Sequence, residues 1–227
     1  MNCIVTAGPT YEPLDEVRRL TNFSTGRLGN ELANFLTAQG HRVTLLIGEQ
    51  ATWPGARRAA RVEPFTTTAD LRARLQAMAS AGVDAVFHAA AVSDFRFGNV
   101  WQRATDGRLV EVTARKIPTR MDSLLVELQP TEKIILGLRD WFPHACLVGW
   151  KCEMDGNRPE AVAEGARQIR ECRTNACVVN GRAYGDGFGI VAPDESCAHV
   201  ETMEALFPAL EVLARSTGSR TASPAAS

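Results

Sequence analysis

Short apolar runs alternate with helical patterns along most of this 227-residue chain, and this alternation constrains the fold more than any other feature. The strand-like runs are continuously apolar, which is typical of strands buried on both faces of a sheet. They cover residues 3–6, 42–47, 85–90, 147–151 and 176–179, and the intervening patterns predict helices over 28–40, 68–81, 133–141 and 159–172. We therefore predict an α/β fold whose mostly parallel sheet has helices on both faces.

Two segments interrupt the alternation. Residues 96–128 contain the turn signal Asp106-Gly107 between strand-like runs, which predicts a hairpin or a small antiparallel extension. Residues 181–200 combine several glycines with short strands, and we expect excursions of this kind to form a lid or a dimer contact. A final amphipathic helix is predicted over 201–216, so that one domain spans 1–216 and the polar tail 217–227 is disordered.

The amino end has the order strand, long loop, helix that a phosphate site needs. The loop contains Gly8, and Ser24, Thr25 and Gly26 lead into the helix. Ser24 or Thr25 is expected to cap the helix, Gly26 lets the backbone approach a ligand, and Arg27 adds positive charge beside the free N–H groups of the first turn. The alternative is a packing turn that binds nothing.

Composition excludes several classes of function. The balance of 25 basic and 26 acidic residues argues against a nucleic-acid binder that relies on a general positive field. No apolar run approaches the roughly 20 residues of a membrane span, and no signal peptide is recognisable, so we expect a cytoplasmic protein without a membrane partner. The six cysteines form no Cys-x-x-Cys pair and the four histidines have no ligand spacing. We expect no metal held by protein ligands, and any metal should arrive with a nucleotide.

The third strand runs into small residues. Ala90 and Ala91 would let a flat ring or a ribose lie close to the backbone at the carboxyl end of that strand, where ligands bind in open α/β sheets. Asp94 could accept hydrogen bonds from a ribose or hold a divalent ion carried by phosphates. It could equally cap the following turn.

Lysine is rare here, and only Lys116, Lys133 and Lys151 occur. Lys116 could supply a compact charge for a phosphate, although each lysine could also be a solvated surface charge. Trp150, at the end of a strand, could pack on a base or complete the core. Asn22 could donate to an oxyanion during acyl transfer or serve only as a turn residue.

Taken in order, these segments resemble the phosphopantothenoylcysteine synthetase family, also called phosphopantothenate-cysteine ligases, over nearly the whole chain. The motifs that carry the resemblance are Ala7-Gly8-Pro9-Thr10, Val17-Arg18, Asn22 to Gly29, Ala89 to Phe95, Lys116-Ile117, Val148-Gly149-Trp150 with Glu153, and Val178-Val179-Asn180. The resemblance implies a Rossmann-like homodimer that activates the carboxylate of 4'-phosphopantothenate with CTP or ATP and Mg2+. Pyrophosphate leaves, and the acyl-nucleotidylate then reacts with the amine of cysteine.

The resemblance also implies roles for individual residues. Asn22 and Arg18 would handle the acyl-nucleotidylate and its conversion to the amide, and Lys116 would neutralise charge during activation. Arg167 would stand in for a lid lysine of the bacterial family. Nucleotide and phosphate contacts are expected from Gly8, Ser24, Thr25, Gly26, Ala90, Ala91, Asp94, Lys133, Trp150 and Arg167.

Some positions depart from the bacterial pattern of the family. Many bacterial members carry a flavin-dependent decarboxylase before the synthetase, and this chain begins at the synthetase-like strand, so we expect a stand-alone ligase without flavin. Trp150 and Lys151-Cys152 before Glu153 follow the eukaryotic pattern, which leaves CTP and ATP both open. Gly181 replaces an aspartate that often follows Asn180, so the lid contacts are altered.

Two alternatives remain. An oxidoreductase that binds NAD(P) or flavin is suggested by Glu49, which follows the second strand where an acidic residue could hold a ribose. The chain has no G-x-G-x-x-G after the first strand and no Tyr-x-x-x-Lys pair. The altered lid suggests the other alternative, a homologue that binds nucleotide but has lost turnover.

Overall fold

The computed structural model describes residues 1–118 and 123–220. The strands are β1 (Asn2–Ala7), β2 (Tyr11–Pro13), β3 (Arg19–Thr21), β4 (Arg42–Gly48), β5 (Arg61–Phe65), β6 (Ala85–His88), β7 (Phe95–Arg103), β8 (Leu109–Glu111), β9 (Leu124–Pro130), β10 (Cys146–Cys152), β11 (Ala176–Asn180), β12 (Phe188–Val191) and β13 (Cys197–Val200). The helices are α1 (Arg27–Ala38), α2 (Thr68–Ala77), α3 (Ile134–Trp141), α4 (Arg158–Cys172) and α5 (Met203–Arg220).

The main sheet has eight strands in the order β13-β12-β11-β10-β6-β1-β4-β5. The strands from β5 to β11 in this order are parallel, and β12 and β13 continue the sheet antiparallel. The chain moves outward from β1 through β4 to β5, and then returns to β6 on the other side of β1. The strand order therefore reverses between β1 and β6, and ligands of open α/β sheets bind outside the carboxyl ends at such a point.

Helices cover both faces of this sheet, as predicted. Leu32 of α1 packs with Val5 in one buried cluster, which also includes side chains of α5. Leu71 of α2 packs with Ile4 in a second cluster, together with side chains of α3. Adjacent residues of a strand point to opposite faces, so these two clusters are the two sides of the core. Each such buried side chain contributes about 1.5–3 kcal/mol. Within the described residues, no helix is long and apolar enough to cross a membrane.

The predicted antiparallel extension forms a separate three-stranded sheet in the order β8-β7-β9. Its strands pair antiparallel, and the connection from β8 to β9 carries Lys116. A second small ribbon, β2 with β3, occupies the loop that follows β1. Both additions lie in the chain next to the carboxyl ends of the central strands, since β2 follows β1 and β7 follows β6.

Several expectations need correction. The short strands expected in residues 181–200 are β12 and β13, which extend the main sheet, whereas the expected lid or dimer contact of this segment stays a prediction. The sequence predicted neither the β2–β3 ribbon nor β5. Helix α5 runs to Arg220 and so passes the expected end at 216. Residues 221–227 of the predicted tail lie outside the described residues.

Candidate functional site

Two glycines meet at the carboxyl end of β1. Gly8 and Gly26 have φ angles of 77° and 80°, a backbone region that favours glycine. A Cβ placed on Gly8 would lie 2.8 Å from the Cβ of Ala51, and one placed on Gly26 would lie 3.0 Å from the same atom and 3.3 Å from Cα of Gly8. The two glycines therefore pack on each other and on the loop after β4, as a tight phosphate loop requires.

The start of α1 differs from the expected cap. Gly26 is the N-cap residue, and no side chain caps the helix. Ser24 therefore has no capping role, and the hydroxyl of Thr25 only accepts from the N–H of Arg27 at 3.3 Å. The first turn of α1 contains no acidic residue. The N-terminus of α1 thus keeps free N–H groups and a positive field that favours an anion.

The loop after β4 supports this turn, a role that no local sequence pattern predicted. The backbone N–H of Trp53 donates to the carbonyl of Thr25 at 3.0 Å, and its indole Nε1 donates to Glu31 at 2.8 Å. The guanidinium of Arg27 lies 4.7 Å from the centroid of the indole ring. Trp53 thereby fixes the glycine loop and the direction of Arg27 together.

The alanine segment after β6 lies beside the glycine loop. The N–H of Ala91 donates to the carbonyl of Gly8 at 2.9 Å, and the carbonyl of Ala91 accepts from the N–H of Thr10 at 3.1 Å. The side chain of Asn22 donates from Nδ2 to the same carbonyl at 3.1 Å. The structure thus brings Ala91 to Asn22 and the glycine loop, which both lie far from it in sequence.

A buried histidine holds the neighbouring alanine. The N–H of Ala90 donates to Oγ1 of Thr6 at 3.1 Å, and that hydroxyl lies 2.9 Å from Nδ1 of His88. Burial lowers the pKa of His88 to about 4, so the imidazole is neutral near pH 7. Nδ1 can then accept the proton of the Thr6 hydroxyl. Neither Thr6 nor His88 was predicted to have a role from the sequence.

A polar network lies under the same segment. Buried Thr10 donates from Oγ1 to Oγ of Ser93 at 3.0 Å, and the N–H of Ser93 donates back to Oγ1 of Thr10 at 2.8 Å. The carboxylate of Glu12 accepts from the N–H of Thr68 at 2.9 Å. These contacts tie the β2–β3 ribbon and α2 to the alanine segment, so the segment has a defined shape.

Asp94 and Lys133 form an ion pair at the end of the alanine segment. Their side chains are 63% and 60% exposed, so either group can reach a ligand at little cost. The N–H of Thr131 also donates to the carbonyl of Asp94 at 2.9 Å, which joins the start of α3 to the site. The two predicted nucleotide contacts are therefore neighbours.

Arg18 and Lys116 belong to one local cluster. Nη2 of Arg18 donates to the carbonyl of Ile117 at 2.8 Å, and Nε donates to Asp15 at 3.0 Å. The Arg18 guanidinium and backbone N–H groups hold the pKa of the Asp15 carboxyl well below its usual range. Lys116 is exposed beside Ile117. Asp15 was not among the predicted site residues, because no local pattern shows that it meets residues about a hundred positions away.

Trp150 and Arg167 are further from this cluster in the bonding network. Trp150 is half-buried against the first core cluster, and its carbonyl accepts from Gln168 of α4 at 3.3 Å. Arg167 lies exposed on α4, where it pairs with Glu164 and with Glu171. Among the described residues, no hydrogen bond or ion pair links Arg167 to the glycine loop or to the alanine segment, so its lid role stays a prediction.

No protein-ligated metal centre is found in the part of the chain that the structure describes, since no three His, Cys, Asp or Glu side chains converge there. Asp94, the carboxylate at the predicted nucleotide site, already faces the ammonium of Lys133. A divalent ion would therefore take its ligands mainly from the phosphates that carry it and from water.

Several known proteins are similar to this chain. Residues 1–205 match the family described as the DNA/pantothenate metabolism flavoprotein C-terminal domain. The coenzyme A biosynthesis bifunctional protein CoaBC of Thermococcus kodakarensis is 31% identical over 186 residues, which cover 80% of this chain and 42% of that protein. The human phosphopantothenate–cysteine ligase is 27% identical, over 78% of this chain and 70% of the human protein. The chain thus spans less than half the length of the bifunctional relatives that it matches.

A solved structure shows the same fold. The crystal structure of the DNA/pantothenate metabolism flavoprotein from Streptococcus pneumoniae superposes with a TM-score of 0.82 and 23% sequence identity. The match covers 95% of this chain and 99% of that one. The α/β architecture with its antiparallel additions is therefore confirmed.

Proposed function

Because the chain belongs to the DNA/pantothenate metabolism flavoprotein C-terminal domain family, we propose that it is a phosphopantothenate–cysteine ligase of coenzyme A biosynthesis. The observation that carries this proposal is the contact between Asn22 and Ala91, with Nδ2 and the carbonyl oxygen 3.1 Å apart. It joins the predicted acyl-transfer residue to the predicted nucleotide segment at the carboxyl ends of β1 and β6.

The first half-reaction activates an acid. A carboxylate oxygen of 4'-phosphopantothenate attacks the α-phosphorus of the nucleotide, the bond to the β-phosphate oxygen breaks, and pyrophosphate leaves with that bonding pair. Two anions must approach each other, so fixed donors and cations are needed beforehand. The glycine loop at Gly8 and Gly26 and the N-terminus of α1 would hold phosphate, and Lys116 would offset the charge that develops. Mg2+, carried by the triphosphate, would offset the rest.

The second half-reaction forms the amide. The amine of cysteine attacks the acyl carbon, the bond to the nucleotide phosphate breaks, and the nucleoside monophosphate leaves as the amine loses its proton. Asn22 lies beside the alanine segment, where a side-chain amide can donate to the developing oxyanion. Ala90, Ala91, Asp94 and Lys133 would line the nucleotide, with Trp150 further along the sheet.

The oxidoreductase alternative gains no support. Glu49, which it would use to hold a ribose, accepts a hydrogen bond from the hydroxyl of Tyr11 at 3.2 Å. The ligase function accounts for more of the residues that meet at the site than the oxidoreductase function does. A homodimer, built through the β8-β7-β9 sheet, is part of the same proposal.

The test is an assay of pyrophosphate release. The purified protein is given 4'-phosphopantothenate, cysteine, Mg2+ and either CTP or ATP, and product is followed by mass. We expect pyrophosphate and the cysteine amide in equal amounts with at least one nucleotide, and the comparison assigns the nucleotide. Omission of phosphopantothenate is the control and should abolish release. Absence of pyrophosphate with both nucleotides, from a folded protein, would overturn the proposal.

A further inference from the structure

The carboxylate of Asp15 is enclosed by donors. Its side chain is only 1% exposed. Oδ1 accepts from the N–H groups of Val17 at 2.9 Å and Arg18 at 2.7 Å, whereas Oδ2 accepts from Nε of Arg18 at 3.0 Å and from the N–H of Ile117 at 3.1 Å. One oxygen therefore organises the local turn, and the other oxygen reaches a distant segment.

That distant segment is held on both sides of Lys116. The carbonyl of Arg115 accepts from the N–H of Glu16 at 3.0 Å. The carbonyl of Ile117 accepts from Nη2 of Arg18 at 2.8 Å, and the Ile117 side chain is 2% exposed. Since both neighbours of Lys116 are fastened to the turn at 15–18, that turn determines where the backbone of Lys116 lies.

The same contacts bear on the part played by Arg18. Its Nε and Nη2 groups are used by the Asp15 carboxylate and the Ile117 carbonyl, so only the Nη1 group is left to meet a substrate anion while the segment stays held. Lys116 differs, because its side chain is exposed and forms no hydrogen bond or ion pair with the described residues. Of these two cations, Lys116 is therefore the one that has all its donors available for a phosphate among the described residues.

We propose that Asp15 is a positioning residue for the activation step: acting through Ile117 and Arg18, it holds Lys116 where the carboxylate and the triphosphate meet. This inference rests on the proposed function and deepens it, since it gives the Asp15–Arg18 pair an indirect role in the first half-reaction. Displacement of a group at the reacting centre by about 1 Å can lower the reaction rate about a hundredfold. A fixed position for Lys116 would therefore matter for the activation step.

The test is Asp15→Asn. Asn keeps the size and the acceptor for the local turn, but its amide N–H groups would face the N–H of Ile117 and the guanidinium of Arg18, which are both donors. We expect kcat for pyrophosphate release to fall about a hundredfold while KM for the nucleotide stays within about threefold. Preformed acyl-nucleotidylate with cysteine should still give the amide at the wild-type rate, because Lys116 serves activation only.

Asp106→Asn is the matched control. Asp106 also accepts from the N–H and guanidinium of an arginine in its own turn, Arg108, but that turn is exposed, and among the described residues no hydrogen bond or ion pair links it to Ile117 or Lys116. We expect wild-type kinetics from it. Arg18→Lys is a second variant in case Asp15→Asn does not fold, because an ammonium cannot reproduce the paired donation of Nε and Nη2 to the Asp15 carboxylate. It should likewise reduce activation more than amide formation.

A structural measurement separates this proposal from the proposed function. Amide hydrogen exchange at Ile117 should accelerate at least about tenfold in Asp15→Asn, because its acceptor is lost. Unchanged exchange at Ile117, or equal losses in the two half-reactions, would overturn the positioning role. An inactive wild type would instead refute the ligase assignment, and the exchange result would then still decide whether Asp15 holds the segment.

Discussion

His88 supports the site without reaching a ligand. It is 6% exposed, and it fixes the Thr6 hydroxyl that receives the N–H of Ala90. A buried imidazole that accepts a proton must stay neutral, because a charged ring would lose its solvation and would meet the Thr6 hydroxyl with a donor. The stability of the protein should therefore depend on pH through this residue.

We expect the free energy of unfolding to fall as the pH drops from about 6.5 to about 4. The folded pKa of His88 is about 4, whereas the pKa of an unfolded histidine is 6.5. Between these values the unfolded state binds the extra proton, so acid favours unfolding, by roughly 3 kcal/mol in total. Urea titrations at a series of pH values measure this. His88→Gln keeps an acceptor for Thr6 and should flatten the curve in that window.

His144→Gln is the control for His88→Gln, since His144 is exposed. This variant should keep the wild-type decline in stability. If the free energy of unfolding of His88→Gln and of wild type fell in parallel from pH 6.5 to 4, the neutral His88 would not be the cause of the decline.

At the scale of elements, the glycine loop and the end of α1 can be compared directly. Gly8 and Gly40 have similar φ angles of 77° and 81°. A Cβ on Gly40 would meet nothing within 4 Å, but one on Gly8 would meet the Cβ of Ala51 at 2.8 Å. The two positions thus share the backbone cost of a side chain and differ only in the close packing of the loop.

We expect Gly40→Ala to destabilise the protein by about 1–2 kcal/mol, which is the cost of a left-handed residue with a Cβ. Gly8→Ala should cost about 1–3 kcal/mol more, because the loop must move away from Ala51. Denaturant unfolding measures both. Only Gly8→Ala should also raise KM for the nucleotide, and a similar rise in Gly40→Ala would show that the loop is not the phosphate contact.

The elements that the sequence predicted are those with a strong local pattern. Strands buried on both faces are continuously apolar, so β1, β4, β6, β10 and β11 could be predicted. Strand β5 was missed because Arg61, Glu63 and Pro64 interrupt its apolar pattern at the edge of the sheet. The β2–β3 ribbon has strands of three residues each, too short for any period to appear.

Residues of the candidate site could likewise be predicted only where a local motif marks them. Gly8, Gly26 and Ala91 stand in local motifs that a sequence displays, and the structure places them in contact. Trp53 and Asp15 act through partners that only the fold brings near. Ser24 and Thr25 have the residue types of a helix cap. However, Gly26 occupies the N-cap position of α1 with a positive φ, and neither side chain caps the helix.

At the scale of the molecule, the small β8-β7-β9 sheet leaves apolar surface uncovered. Strand β8 is an edge strand whose Leu109 and Val110 are 51% and 53% exposed. On β9, Leu128 is 49% exposed. Unpaired edges with apolar side chains are prone to pair with another chain, and proteins usually cover or charge them. This surface therefore suits the homodimer that the family resemblance implies.

We expect Leu109→Asp to convert a dimer into monomers, because a carboxylate at the paired edge would lose its hydration and repel its symmetry mate across a two-fold axis. Sedimentation velocity of the purified protein measures the change at micromolar concentration. Val212→Asp is the control, since Val212 is 65% exposed on α5, an element that packs on the main sheet instead, and this variant should stay dimeric. A Leu109→Asp variant that sediments like the wild-type dimer would exclude this edge from the interface, and a monomeric wild type would exclude the dimer itself.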